Sequence, residues 1–183
     1  MATISPTRYT PEDLLTIDDR PMPELVDGQL LEREVGQKAD AIAATLLVSI
    51  AIFVRAHGLG LVNGSQGGYQ IFPDDPRKVR IPDVSFTRRD RVPPSGPADG
   101  HGRVAPDLVV EVTSPNDLYA MVQAKLNDYL AAGVPLIWVV EPETRTVQVF
   151  RRDHTGLRLF PGDTLDGEDV LPGFRCEVDA LFT

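Results

Sequence analysis

The strongest chemical signal lies in the run Asp107-Leu108-Val109-Val110-Glu111-Val112-Thr113. As a strand it places Asp107, Val109, Glu111 and Thr113 on one face and Leu108, Val110 and Val112 on the other. One face is wholly apolar, so the carboxylates of the other sit inside a strand suited to burial. A buried carboxylate is costly unless it is paired, protonated or bound to a cation. Taken alone, Glu111 is equally well explained by a structural ion pair with an arginine or by a strand end that reaches water. A second signal is Lys125, in a predicted helix over residues 116–132. Projected at about 100° per residue, Leu118, Met121, Val122, Leu126, Tyr129 and Ala132 form an apolar stripe, and Lys125 falls inside it. Its ammonium there needs an anion, unless its stem simply covers apolar surface with the head in water. Two weaker signals are Asp83, after Pro82 at the mouth of a strand, and Glu24, ahead of an Asp27-Gly28 turn. Singly, these read as a turn residue and an exposed hairpin acid.

Together the four residues describe metal-assisted phosphodiester cleavage. Asp83 and Glu111 would ligate a hard divalent cation, Mg²⁺ or Mn²⁺, with water completing the oxygen shell. Such a cation lowers the pKa of a bound water and neutralises charge on phosphate oxygens. Lys125 would orient that water or stabilise the transition state.

The elements that must hold these residues are readable. Thr10-Pro11-Glu12-Asp13 carries an N-cap, a proline at the first helical position and two acids at the positive end of the dipole. Residues 24–32 read as a hairpin around Asp27-Gly28. A long helix is predicted from Gln37 to His57, stopped by Gly58. Strands are predicted near residues 61–62, 68–72, 83–87 and 107–113, with a Pro/Gly-rich surface loop at 91–104 between the last two. The apolar run 136–140 reads as a strand covered on both faces, followed by a hairpin at 146–151 and 157–160 and a turn at 178–182. Strand, helix, strand over 107–140 implies a right-handed parallel crossover, while the hairpins add antiparallel pairs. The predicted class is α/β: one domain over residues 1–183, with a mixed central β-sheet flanked by α-helices.

Composition sets the outer limits. The 183 residues are 42% hydrophobic and 25% charged, as expected of a globular chain. A net charge of −9 argues against non-specific coating of DNA, though clustered metal-binding carboxylates also make a chain acidic. Lysine is scarce, at positions 38, 78 and 125 only. The single cysteine, Cys176, permits no internal disulfide, and His57, His101 and His154 are too scattered for a zinc triad. No Walker loop or Gly-x-Gly-x-x-Gly pattern is present. The apolar segment 39–54 is interrupted by Asp40, Thr45 and Ser49, and the N-terminus carries no secretory pattern. The expectation is a cytoplasmic protein with no membrane partner.

The text Glu24-Leu-Val-Asp-Gly, Pro82-Asp83-Val-Ser-Phe, Pro106-Asp107-Leu-Val-Val-Glu111-Val, Lys125-Leu-Asn-Asp-Tyr129-Leu-Ala-Ala-Gly133-Val-Pro and Trp138-Val-Val-Glu-Pro resembles the Uma family of proposed bacterial endonucleases. That family lies within the PD-(D/E)XK restriction-endonuclease-like superfamily. The resemblance covers residues 8–182 and implies a restriction-endonuclease-like fold and cleavage of nucleic acid, with DNA the expected substrate. It makes Asp83 and Glu111 the signature acids and Lys125 a migrated replacement for the signature lysine, whose usual position is Thr113. Glu24 and Asp107 become accessory acids. Relatives often carry a histidine where this chain has Asp40, so no helix-borne histidine is assigned. Arg80, Arg88 and Arg89 near Asp83 could form a basic rim for nucleic acid, or a solvated charged edge. A homodimer is expected, since residues 42–53 are apolar nearly all round and cutting a duplex needs two sites. The alternative is a catalytically inactive nuclease-like module that binds nucleic acid or a partner protein. A carboxylate-pair glycosidase ranks third, because that mechanism has no use for an inward lysine.

Overall fold

The computed structural model describes residues 8–18, 21–33, 36–115 and 117–182. The chain opens with a short helix, α1 (Pro11–Leu14), closed by the predicted cap. The Thr10 hydroxyl accepts from the Asp13 amide at 3.2 Å and the Asp13 carboxylate accepts from the Thr10 amide at 2.8 Å. The hairpin β1 (Glu24–Val26) and β2 (Gln29–Leu31) turns through Asp27 and Gly28, both at positive φ (52° and 77°), as an Asp-Gly two-residue turn requires. Leu25 exchanges both backbone hydrogen bonds with Val79, at 2.9 and 2.8 Å. Leu14, Leu25, Val79 and Ile81 form a small core of their own, which fixes the position of Glu24.

The long helix α2 (Gln37–His57) ends at Gly58, whose φ of 62° makes the left-handed cap. It buries Ala39, Ile42, Leu46, Ile50 and Val54, spaced three or four apart, against one face of the main sheet. By length and composition alone this helix could cross a membrane, yet here that stripe belongs to the main core of the fold. Its opposite face leaves Val48 and Ile52 more than half exposed.

Six strands make the central sheet: β3 (Gly60–Gly64), β4 (Val84–Arg88), β5 (Leu108–Val112), β6 (Leu136–Glu141), β7 (Thr146–Arg151) and β8 (Gly156–Leu159), in that spatial order. Every pairing is antiparallel except β5 with β6, which is parallel and bridged by α3 (Tyr119–Ala131). α3 packs Leu126 and Tyr129 with Val109, Ile137 and Val139 on the face opposite α2. The predicted mixed α/β sheet between helices is thus observed.

Four details differ from expectation. Residues 68–72 form no strand: Tyr69 makes isolated bridges to Arg80 and Gly102, and its hydroxyl bonds Ser85 Oγ at 2.7 Å. α3 begins at Tyr119; Asn116, where the predicted helix starts, lies outside the described residues, and Leu118 and Met121 are exposed instead of joining the buried stripe. His101 is no loop-surface residue but is buried, with Nε2 at 2.9 Å from the Pro11 carbonyl. A second hairpin, β9 (Thr164–Asp166) with β10 (Arg175–Glu177), covers the α2 side of the core with Leu165, Leu171 and Phe174.

Candidate active site

The site forms where β4 begins, where β5 ends and where α3 crosses above them. Asp83 stands one residue before β4. Its amide donates to the Val110 carbonyl at 3.1 Å, and its Oδ2 accepts from the Val112 amide at 2.7 Å. The side chain therefore extends the β4–β5 ladder by one rung and is locked against β5. Glu111 lies within β5, in register with Val139 of β6, on the face covered by α3. Lys125 reaches down from α3, placing Nζ 2.7 Å from Glu111 Oε2 and 3.0 Å from Glu24 Oε1. One helical turn on, the Tyr129 hydroxyl donates to Glu111 Oε1 at 2.9 Å.

Glu24 is buried and fully engaged. Oε1 also accepts from the Ile81 amide at 2.9 Å, and Oε2 accepts from Arg80 Nη1 at 2.8 Å. Arg80 in turn contacts Asp128 of α3 at 2.6 Å, and Asp128 contacts Lys78 at 2.7 Å. Lys78 ends the chain of alternating charge on Asp74, also at 2.7 Å. Lys125, Asp128 and Tyr129 thus work from one face of α3, at the spacing a helix brings together. Their buried charges tolerate burial because each has an oppositely charged neighbour.

Electrostatics separate the acids. Burial pushes the Glu111 carboxyl up to about 7; Lys125 pulls it down, but the charges of Asp83 and Glu24 push it further up. Burial also opposes ionisation of Glu24, yet Lys125, Arg80 and the Ile81 amide together hold its carboxyl below the ordinary value. Burial would lower the Lys125 ammonium, but Glu111, Glu24 and Asp83 outweigh it and raise it. Glu24 and Lys125 therefore persist as an ion pair, and Glu111 is the carboxylate whose charge most wants a further cation.

A cavity of about 380 Å³ opens over this cluster, its polar floor made by Asp83, Glu111, Glu24 and Lys125. Val26, Leu31, Ala39, Ala43, Met121 and Val122 contribute apolar wall. Arg33, in the segment after β2, places Nη2 2.7 Å from Asp83 Oδ1 and donates from Nη1 to the Ser65 carbonyl at 3.2 Å. The two candidate ligands are held alike. Each has one oxygen fixed by a neutral donor, the Val112 amide or the Tyr129 hydroxyl, and the other against a side-chain cation, Arg33 or Lys125.

The donor set fits a hard divalent ion: carboxylate oxygens with no sulfur or imidazole among them, in a pocket where negative charge is already in excess. Among the described residues no group of three or more His, Cys, Asp and Glu side chains stands assembled as a metal cage. Asp83 and Glu111 would therefore supply two ligands, with water filling the rest, as Mg²⁺ commonly accepts.

Of the residues expected from sequence, Asp83, Glu111, Lys125, Glu24 and Arg80 line the same cavity. Asp107 does not. It sits four residues back along the chain, about 13 Å away at strand rise, where it accepts from Arg91 Nη1 at 2.6 Å and the Arg88 amide at 2.8 Å. Its place is a structural ion pair at the opposite end of β5. The expected arginine rim is likewise not assembled. Arg80 is buried and engaged by Glu24 and Asp128, Arg88 pairs with Asp90 at the far end of β4, and Arg89 lies beside the end of α2. Sequence reasoning missed Tyr129, although a tyrosine aligned with Lys125 on a buried stripe needs a partner for its hydroxyl. It also missed Arg33, whose loop gives no local signal.

A family model for Uma2, described as "Putative restriction endonuclease", matches residues 11–179. The crystal structure of a "putative nuclease belonging to DUF820" from Anabaena variabilis superposes with a TM-score of 0.81 at 20% sequence identity, covering 95% of this chain and 97% of that one. At that identity the likeness shows a shared fold. No curated protein matches the chain.

Proposed function

The chain belongs to the Uma2 family, and from that premise we propose that it is a Mg²⁺- or Mn²⁺-dependent endonuclease that hydrolyses phosphodiester bonds of DNA. The observation that carries this reading is the convergence of Asp83, Glu111 and Lys125, from three separate segments, on one cavity floor. Asp83 and Glu111 would hold the ion, which when bound activates a water and neutralises charge on the phosphate. Tyr129 and the Val112 amide keep each ligand from turning, so the oxygens are presented without reorganisation. The ammonium of Lys125 faces the same space, held by Glu24, and can donate to the attacking water or to a non-bridging phosphate oxygen. Glu24 is in turn fixed by Arg80, so its role is to position the lysine and keep it charged. The apolar walls limit competing water around the reacting phosphate.

A homodimer joined through the exposed face of α2, with Val48 and Ile52 at its centre, would supply the two sites a duplex needs. The test is nicking of supercoiled DNA with Mg²⁺ or Mn²⁺ by the wild type and by Lys125→Ala. Metal-dependent nicking lost in the variant supports the reading. DNA binding with no cleavage under either metal would instead favour a nuclease-like binding module, a reading favoured by the internal cations already resting on Asp83 and Glu111.

A further inference from the structure

Arg33 has no part in the chemistry derived above, yet it occupies the cavity's most sensitive position. Its side chain is only 10% exposed, so it is built into the pocket and does not merely overhang it. Nη2 covers Asp83 Oδ1, the oxygen that the Val112 amide leaves free, while Nη1 is tethered to the Ser65 carbonyl. Its charge is felt across the cavity: it works against protonation of Lys125.

Charge balance decides what happens when a divalent ion arrives. With Glu111 ionised, as metal ligation requires, the carboxylates of Asp83, Glu111 and Glu24 face Lys125 and Arg33, and the group is one positive charge short of neutral. With a divalent ion in place, those three carboxylates are balanced by the ion and Lys125 alone. Arg33 would then be one positive charge in excess, in a pocket where excess charge is poorly solvated. A phosphodiester brings one negative charge, and a guanidinium fork suits phosphate oxygens.

We propose that Arg33 is an exchangeable counter-ion: in the free protein it neutralises Asp83, a divalent cation displaces it, and the released guanidinium, still tethered near Ser65, binds the phosphate of the substrate. The proposal rests on the metal-dependent reading of the site. It adds that the chain competes with its own metal, and that metal and phosphate binding are coupled through one side chain.

The test is calorimetric titration of Mn²⁺ into the wild type, Arg33→Gln and Arg33→Lys, each checked for native circular dichroism. The exchange predicts that Arg33→Gln binds Mn²⁺ about tenfold more tightly than wild type, because a competing charge is gone. Arg33→Lys, which keeps the charge, should stay within about threefold on the same grounds. With Mn²⁺ saturating, a thymidine dinucleotide carrying one phosphorothioate should bind the wild type at least about fivefold more tightly than Arg33→Gln. Equal Mn²⁺ affinity in wild type and Arg33→Gln overturns the exchange while leaving the metal site intact. No Mn²⁺ binding by any of the three proteins overturns the metal-dependent reading itself, and the exchange with it. Should Arg33→Gln fail to fold, the guanidinium resonances of Arg33 in the wild type decide the matter. They must shift as Mg²⁺ saturates and shift again with the dinucleotide, and resonances indifferent to Mg²⁺ refute displacement.

Discussion

The two ends of β5 carry the same kind of side chain and place it in opposite circumstances. Asp107 and Glu111 lie on one face, by the period of the strand. Asp107, itself buried, meets Arg91, whose side chain is 36% exposed, and the Arg88 amide: one cation and one amide for one carboxylate. Glu111 meets Lys125 and Tyr129 under α3, and burial, joined by the charges of Asp83 and Glu24, pushes its carboxyl up to about 7. An acid with a cation and an amide of its own is satisfied and has no demand for a further partner. An acid sharing one ammonium with a second acid, beside a third, retains demand for a cation. The position along the strand relative to the crossing helix decides which of these a carboxylate becomes.

The comparison is broken most severely at the Glu111 end. Glu111→Ala or Lys125→Ala should reduce metal-dependent cleavage by about a thousandfold or more, read as initial nicking rate, whereas Asp107→Ala should leave that rate within about twofold of wild type because no chemistry passes through it. A loss of similar size in Asp107→Ala would erase the distinction. Arg80→Met probes the support beneath the site. Leaving Glu24 and Asp128 without their shared guanidinium should cost about 3–5 kcal/mol in urea unfolding, more than Arg91→Met, after which the Arg88 amide still holds the Asp107 carboxylate.

A pH series sharpens the same contrast. In the native chain the Glu111 carboxyl keeps its proton up to about pH 7, while its ordinary value is 4.5. Between those values the folded form binds the extra proton, so this group makes stability fall as pH rises through the window. The fall should amount to about 1–3 kcal/mol, and Glu111→Gln, which does not titrate, should remove that component. A smaller loss is expected of Tyr129→Phe. Loss of one hydrogen bond to Glu111 should cost about 1 kcal/mol, and cleavage should fall several-fold as the ligand becomes free to turn. Metal affinity and rate unchanged in that variant would remove Tyr129 from the positioning role.

Much of this arrangement is legible in the sequence. α2 is announced by its periodic stripe and the Gly58 stop, the hairpin by Asp27-Gly28, and the parallel β5–β6 pair by two apolar runs around a helix. Lys125 was visible because a charge on an apolar stripe has few destinations. Asp107 misled because alternation fixes the face of a residue but not its distance from the helix that covers that face. β9 and β10 are three residues each and carry too few alternations to register as strands. Residues 68–72 carry strand-like residues, but Tyr69 finds single bridges to two loops in place of a continuous ladder. Arg33 was beyond reach for a different reason: its meaning comes from Asp83, fifty residues onward, through a contact that exists only once the hairpin has docked.

The central claim is that Asp83, Glu111 and Lys125 form one cation-binding catalytic centre. It is tested most directly by anomalous diffraction from crystals of the wild-type protein grown with Mn²⁺. A single strong peak is expected in contact with carboxylate oxygens of both Asp83 and Glu111, with the Lys125 ammonium facing the same pocket. A fully loaded crystal whose manganese lies elsewhere, with those two acids still clasped by Arg33 and Lys125, would contradict it.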